Sequence, residues 1–205
     1  LCINALANRS LNEASPPRNG WAGPMMITLR WAIIRVVSDA QFIFNKILVA
    51  YAGVSADEFS DFTLHIEFRL PWMPKARGQG RGNSGIYLTG RYEVQMLDSF
   101  GLAGLDNECG GIYKVAEPKQ NLCYPPLRWQ TYDIEFTAAK FDEAGNKTAN
   151  ARVTVKHNGF PIHENLEVPG PTGGAQKSDE KGPGPIFLQN HGNPVRYRNL
   201  WVVRK

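Results

Sequence analysis

Arg81-Gly-Asn-Ser-Gly-Ile-Tyr-Leu-Thr-Gly-Arg-Tyr-Glu-Val-Gln-Met-Leu-Asp-Ser-Phe-Gly101 is the stretch on which the reading of this chain turns. It reads as two β-strands joined at Thr89-Gly90. Strand side chains alternate between faces, so Tyr92, Val94 and Met96 share one face of the second strand and Glu93 and Gln95 the other. Asp98 stands at an odd spacing from Glu93, which an unbroken strand would send to the apolar face. One extra residue, a β-bulge, would bring it back beside Glu93 and Gln95. Three polar side chains in a row either face water on a solvated sheet or line a cleft. The alternation leaves both readings open.

Upstream, Phe62, Leu64, Ile66, Phe68 and Leu70 alternate with Thr63, His65, Glu67 and Arg69, the pattern of a half-buried strand. Pro71 and Pro74 end it. The run Gly80-Arg-Gly-Asn-Ser-Gly85 matches a dinucleotide fingerprint letter by letter. That motif works only where a helix follows and offers its N-terminus to a pyrophosphate; strand follows here, so the glycines serve a turn or a close approach instead. Met25 to Tyr51 is apolar and β-branched and reads as one or two strands, with a buried helix over Gln41 to Tyr51 as competitor. Residues 1–24 read as an irregular lead-in, and 25–205 as a single domain.

Downstream, Gly101 to Pro126 is a long connection in which Gly111 to Val115 could form a short strand. Trp129 to Ala138 alternates again. Asn150 to Lys156 and Phe160 to Val168 flank Asn158-Gly159, a strong hairpin signal because both positions tolerate positive φ. Gly170 to Pro185 reads as an exposed polar loop. Ile186 to Asn190 and Val195 to Val203 read as a closing pair of strands around His191-Gly-Asn-Pro194. Many short strands, turn signals between them and no clear long helix predict an all-β sandwich or jelly roll.

With 205 residues the chain is long enough for one large β core, and a net charge of +4 without basic runs argues against a nucleic-acid partner. The most apolar region is broken by Arg30, Arg35, Asp39 and Lys46, short of the ~20 clean residues of a membrane span. No signal peptide is visible; the expected location is nonetheless periplasmic or secreted. Cys109 and Cys123 could pair in an oxidising compartment or stay as buried thiols in a reducing one, and their spacing is weak evidence for zinc.

Chemistry can sit in few places. Glu93 and Asp98, close together on one face, could be driven to different pKa values, one acid and one base. His191 follows Phe187 and Gln189 on one side of its strand and sits where strand meets loop, a place for an acid, a base or a metal ligand. Arg198 could stabilise an oxyanion, or pair with an acid across the sheet. Tyr113 and Lys114 could reach over a cleft. Against each stands the bland alternative of a solvated or packed side chain.

Five blocks in order, Arg81 to Leu88, Tyr92 to Asp98, Asn107 to Tyr113, Trp129 to Asp133 and Leu188 to Trp201, resemble the 3-keto-disaccharide hydrolase domain over about residues 55–205. The resemblance implies a concanavalin-like jelly roll of two curved antiparallel sheets with a carbohydrate cleft. It also implies work on sugars already oxidised to a ketone at C3. The strand is similar to the Glu-x-Asp-x-x-Glu of laminarinase-type glucanases, but reads Glu93-x-Gln95-x-x-Asp98, which weakens a direct displacement between two carboxylates.

A C3 ketone acidifies the C2 proton, so a base can form an enolate, expel the C1 substituent and let water re-add. On that reading Glu93, Asp98, His191 and Arg198 carry the chemistry, and Asn83, Gln95, Tyr113, Lys114 and Gln189 hold the substrate. No cofactor is demanded, though a divalent metal would suit an enediolate. A non-catalytic carbohydrate-binding module and a glycosidase on unoxidised glucans are the alternatives.

Overall fold

The structure, a computed structural model, describes residues 53–205 and, before them, only the pairing of two short strands, β1 (Leu29–Trp31) and β2 (Leu48–Val49). The expectations for 1–24 and for the rest of 25–51 lie outside the described residues. The remaining strands are β3 (Gly53–Phe59), β4 (Phe62–Arg69), β5 (Ser84–Leu88), β6 (Tyr92–Met96), β7 (Trp129–Thr137), β8 (Lys140–Phe141), β9 (Lys147–Ala149), β10 (Ala151–His157), β11 (Phe160–Val168), β12 (Gly184–Leu188) and β13 (Arg196–Arg204). A 3₁₀ turn at Gly78–Gly80 is the only helical element among the described residues. None of their helices is long and apolar enough to cross a membrane.

The strands form a five-stranded sheet, β1-β3-β12-β5-β6, and a six-stranded sheet, β11-β10-β7-β4-β13-β2. Every pairing is antiparallel except β1 with β3. The expected all-β, jelly-roll-like sandwich is what the chain builds. Its cause is visible strand by strand. β4 buries Phe62, Leu64, Ile66 and Phe68 completely and turns Thr63, His65, Glu67 and Arg69 outward. Ile86, Leu88, Val94 and Met96 of the other sheet belong to the same core. Burying each such side chain is worth about 1.5–3 kcal/mol against leaving it in water. Thr89 and Gly90 both have positive φ, 52° and 68°, as do Asn158 and Gly159 at 52° and 85°, so both hairpins turn where the sequence signals them.

One pairing differs from the sequence reading. β12 and β13 do not pair with each other: β12 lies between β3 and β5, whereas β13 lies between β4 and β2 in the opposite sheet. Residues 191–194 therefore cross from one sheet to the other. Ser84 and Tyr197, whose hydroxyls are hydrogen-bonded in the interior, bridge the sheets beneath that crossing. Gly111 to Val115 is likewise less than a strand. It is an edge segment beside β6, joined by Gly110 N–H to the Gln95 carbonyl (3.0 Å), Gln95 N–H to the Gly111 carbonyl (2.9 Å) and Tyr113 N–H to the Glu93 carbonyl (3.2 Å).

Candidate functional site

On the face of β5 and β6 turned away from the core, Tyr87 stands opposite Glu93 and Gly85 opposite Gln95. Sheet pairing thus puts a phenol beside the carboxylate and an empty position beside the amide. β12 places Phe187 next to Tyr87, with ring centroids 5.2 Å apart, and Gln189 then follows where its N–H bonds the Gly85 carbonyl at 2.9 Å. Gln79, Asn83, Glu93, Gln95 and Gln189, with Tyr113, Gly173, Gly174 and His191, line a cavity of about 280 Å³. That is close to the lower end of the range for small-molecule sites, roughly 300–1,000 Å³.

The face is no solvated one. Asn83, Tyr87, Glu93 and Gln95 are all at most 3 % exposed. Two loops cover them. The first, 97–126, is tied to β6 by the three backbone bonds above and rests from beneath on Tyr132, whose hydroxyl meets Cys109 Sγ (3.2 Å) and donates to the Gln95 carbonyl of β6 (2.7 Å). The second, 170–183, reads in sequence as merely exposed and polar. Thr172 takes the Glu93 N–H on its hydroxyl (2.9 Å) and sends its own N–H to the Arg91 carbonyl (2.9 Å), which carries Gly173 and Gly174 into the wall. Gly174, at a positive φ of 78°, is needed for that approach: a Cβ there would come within 2.5 Å of the Tyr87 hydroxyl.

Among the described residues Glu93 is the only carboxylate lining the cavity. Oε2 accepts a hydrogen bond from Tyr87 (2.8 Å); Oε1 is buried and has no partner. Burial pushes the carboxyl up from the usual 4.5 to about 7, against the opposing pull of the Tyr87 bond. Glu93 therefore sits where a group can both take and give a proton at neutral pH. Gln189 Oε1 is the second buried, unpartnered acceptor of the lining. A linked set of amides forms the other wall: Gln95 Nε2 donates to Asn83 Oδ1 (3.1 Å), and Asn83 Nδ2 to the Gln79 carbonyl (2.7 Å) and to Gln79 Oε1 (3.1 Å). Asn193 Oδ1 accepts the Asn83 N–H (2.7 Å), fixing the crossing that carries exposed His191 to the rim. Among the described residues no Lys or Arg lines the cavity.

Two expected catalytic residues are elsewhere. Asp98 does not turn beside Glu93 and Gln95. Ser84 pairs with Met96, yet the Asp98 N–H reaches the Arg81 carbonyl, so the extra residue falls on the Arg81–Ser84 side of the ladder. The Asp98 carboxylate is buried against Arg81 (Oδ2 to Nη2, 3.1 Å) instead of in the cavity. Arg198 is on the outer face of the six-stranded sheet, across the core, where it pairs with Glu67 at 2.6 Å and stacks 4.0 Å from the Trp129 ring centroid. An odd spacing and an Arg on a polar strand face fit an ion pair as well as a site. Lys114, an expected substrate contact, stays on the surface, 3.5 Å from Asp106, while its neighbour Tyr113 turns in.

Cys109 and Cys123 are buried free thiols. Their mutual hydrogen bond and burial hold the Cys123 thiol far above the ordinary cysteine range. The other histidines are packed away from the cavity: His65 on Asp133, His157 on Gln130 and His163 on the Gly110 carbonyl. Among the described residues no cluster of three or more His, Cys, Asp or Glu side chains is arranged to hold a metal ion, so the donor set does not fit one.

Sequence reasoning missed Tyr87, Thr172, Gly173, Gly174 and Gln79. Tyr87 had a signal: if the hairpin turns at Thr89-Gly90, the residue opposite Glu93 is fixed. The loop residues had none, because their place depends on the fold of a segment without periodicity.

The chain is similar to a Parabacteroides distasonis protein provisionally named a glycosyl hydrolase, with 37% identity and a TM-score of 0.68, over 74% of this chain and 67% of that one. A second such protein from the same organism matches at 14% identity and a TM-score of 0.49, over 75% of this chain and 79% of the other. The alginate lyase vAL-1 from a Chlorella virus matches at 12% and 0.37, over 71% and 72%. Neither of these last two carries an argument here. No curated protein matches. The model of the 3-keto-alpha-glucoside-1,2-lyase-like domain spans residues 47–203, nearly the whole of the described sandwich, and this chain belongs to that family.

Proposed function

We propose that this protein is a carbohydrate-active enzyme that cleaves 3-keto-glycosides by elimination and rehydration, with Glu93 as the proton-transfer group. The family match and the 37% identical glycosyl hydrolase support action on a carbohydrate. One observation supports the finer reading: a single carboxylate lines the cavity, and it is buried, carries an unpartnered oxygen and titrates near neutrality. Displacement at an unactivated glycosidic carbon uses two carboxylates flanking the bond. Proton abstraction beside a ketone uses one base of suitable pKa and hydrogen-bond donors for the enolate oxygen. A binding module would be expected to offer aromatic platforms, whereas among the described residues Tyr113 is the one Phe, Tyr or Trp of the lining.

In the reaction Glu93 takes the C2 proton, and the C–H pair forms the enolate between C2 and C3. The developing oxyanion takes the N–H that Gln189 Nε2 has left after its bond to Tyr87, because Gln95 Nε2 already donates to Asn83 Oδ1 (3.1 Å) and Gln79 Oε1 (3.5 Å). Collapse of the enolate restores the C3 ketone, forms the C1–C2 double bond and breaks the bond from C1 to the leaving oxygen. His191, at the rim, is placed to protonate that oxygen. Water then adds at C1 and gives its proton back to His191, while Glu93, whose proton has exchanged with solvent after the leaving group departs, protonates C2, so the sum is hydrolysis. No step passes through a metal.

The test is turnover in D₂O of a 3-keto-glucoside beside its unoxidised parent. The expected result is cleavage of the keto-sugar alone, with one deuterium at C2 of the product by mass. Cleavage of the parent, or a product without deuterium, overturns the mechanism. The Gly85→Ala variant gives an independent check. A Cβ there would overlap Glu93 Oε1 and fall 2.7 Å from its Cδ and Cγ, so the whole Glu93 side chain must turn aside. Turnover should fall by at least about 10²-fold, the order of loss for an ångström of misplacement, in a variant whose melting transition shows it still folded.

A further inference from the structure

We propose that Tyr87 is a positioning residue that selects which oxygen of Glu93 reacts, holding Oε2 and leaving Oε1 for the substrate, and that it shifts its single proton to the Gly173 carbonyl when Glu93 becomes protonated. This rests on Glu93 being the base proposed above. The Tyr87 hydroxyl lies 2.8 Å from Glu93 Oε2 and 2.9 Å from the Gly173 carbonyl oxygen, and it accepts Gln189 Nε2–H at 3.2 Å. It has one proton for two acceptors. A carboxylate is the stronger acceptor and takes that proton; once the carboxyl is neutral, the peptide carbonyl competes for it. The phenol itself stays protonated, because burial and the charge of Glu93 both raise its pKa far above the ordinary tyrosine range.

The surroundings leave Tyr87 as the group that answers to the charge of Glu93. From the elements packed around the carboxylate, Tyr87 of β5, Tyr113 of the 97–126 loop and His191 after β12 are the titratable groups that line or floor the cavity. Arg91, on the same face of β6 next to the hairpin turn, spends its guanidinium on the Asp179, Lys181 and Gly182 carbonyls. Thr172, at the Glu93 backbone, is neutral. The switch therefore links the protonation of Glu93 to the loop that walls the cavity, through one hydroxyl.

The test is Tyr87→Phe, which keeps the ring against Phe187. Glu93 is followed by carboxyl ¹³C NMR on Glu-labelled protein, its signal assigned as the one missing in Glu93→Gln. Loss of the donor should move the Glu93 midpoint to higher pH by about one unit. The pH–rate profile on the 3-keto-glucoside should move with it, so that activity lost at neutral pH returns in alkaline buffer. A midpoint equal to wild type in a variant that melts like wild type overturns the proposal. The NMR titration needs no substrate: a shifted midpoint without keto-sugar turnover sinks the reaction and keeps the role of Tyr87, whereas turnover with an unshifted midpoint does the reverse.

Discussion

Replacing Glu93 by Gln should cost about 10²–10⁴-fold in turnover, the range for losing one acid–base group, and should make the protein more stable above neutral pH. The two effects have one cause. In the folded chain the carboxyl titrates at about 7 and in an ordinary exposed setting at 4.5, because burial penalises the charged form. The folded state therefore binds a proton that the unfolded state has released. Stability linked to that proton is fully present below 4.5, declines as pH rises toward 7 and is lost above it. Gln is neutral at every pH and nearly isosteric. Its amide oxygen can still accept from Tyr87, so most of the penalty disappears. The gain above pH 7 should approach about 3 kcal/mol, an upper figure since the new N–H₂ has no designed partner. Urea unfolding at about pH 5 and at about pH 8 checks it. The variants should coincide at the acid end and separate at the alkaline end; a Gln variant weaker than wild type at both would refute a charge held at a cost for its chemistry. Natural proteins carry such costs at functional sites.

How far the sequence carries is seen by following β6 outward. The alternation of Tyr92, Val94 and Met96 against Glu93 and Gln95 specifies both the strand and its faces, because one face had to be apolar to meet Ile86 and Leu88. The same logic gave β4, β7 and β10. It stops at Met96, where the strand ends. Past that point Asp98 has no periodicity to obey, and which strand carries the extra residue depends on where the Arg81–Asn83 backbone goes. Arg198 shows a second limit. Alternation states that a side chain leaves the core, but a sandwich has two outer faces, and only the pairing of β13 with β4 decides between them. Misreading β12 and β13 as partners came from the shortness of the 191–194 crossing, which suits a hairpin equally well. The burial of Glu93 is the third case. A Glu on an outward sheet face is ordinarily solvated. Here it is 2 % exposed because of loops whose sequences carry no regular pattern. The family's ordered blocks favoured a cleft over a solvated face, but they did not separate Glu93 from Asp98, Lys114 and Arg198, which the structure holds outside the lining.

Arg91→Met should destabilise the fold by about 1–3 kcal/mol, the cost of leaving buried carbonyls without their donor, and should open the cavity. Arg91 is 1 % exposed, and its guanidinium is fully engaged. Nε donates to the Asp179 carbonyl (2.5 Å), Nη1 to the Thr89 (3.2 Å) and Gly182 (3.3 Å) carbonyls, and Nη2 to the Lys181 carbonyl (2.7 Å) and Asp179 Oδ1 (3.3 Å). A loop without strands or helix of its own is thus closed around one planar group. Removing it orphans four carbonyls, each costing about 1–3 kcal/mol if it stays dry, so the loop would release them to water. Thr172 at β6, the Gln176 N–H on the Gly90 carbonyl (2.8 Å) and buried Tyr92 on Glu180 (2.6 Å) still anchor the loop at single points, and Lys177 on exposed Glu58 (2.9 Å) holds less, but none of them gathers the 179–182 carbonyls. Once residues 172–182 loosen, water reaches Glu93, and the burial that raises its pKa is relieved. The variant should then show a lower urea midpoint, rapid hydrogen exchange confined first to 172–182, a raised KM, and a Glu93 midpoint moved back toward 4.5. Arg91→Lys should rescue little, since an ammonium cannot reproduce the planar fork. Normal protection of the loop together with an unmoved Glu93 midpoint would show that the loop stands without Arg91, and the account of how this site is kept dry would fail.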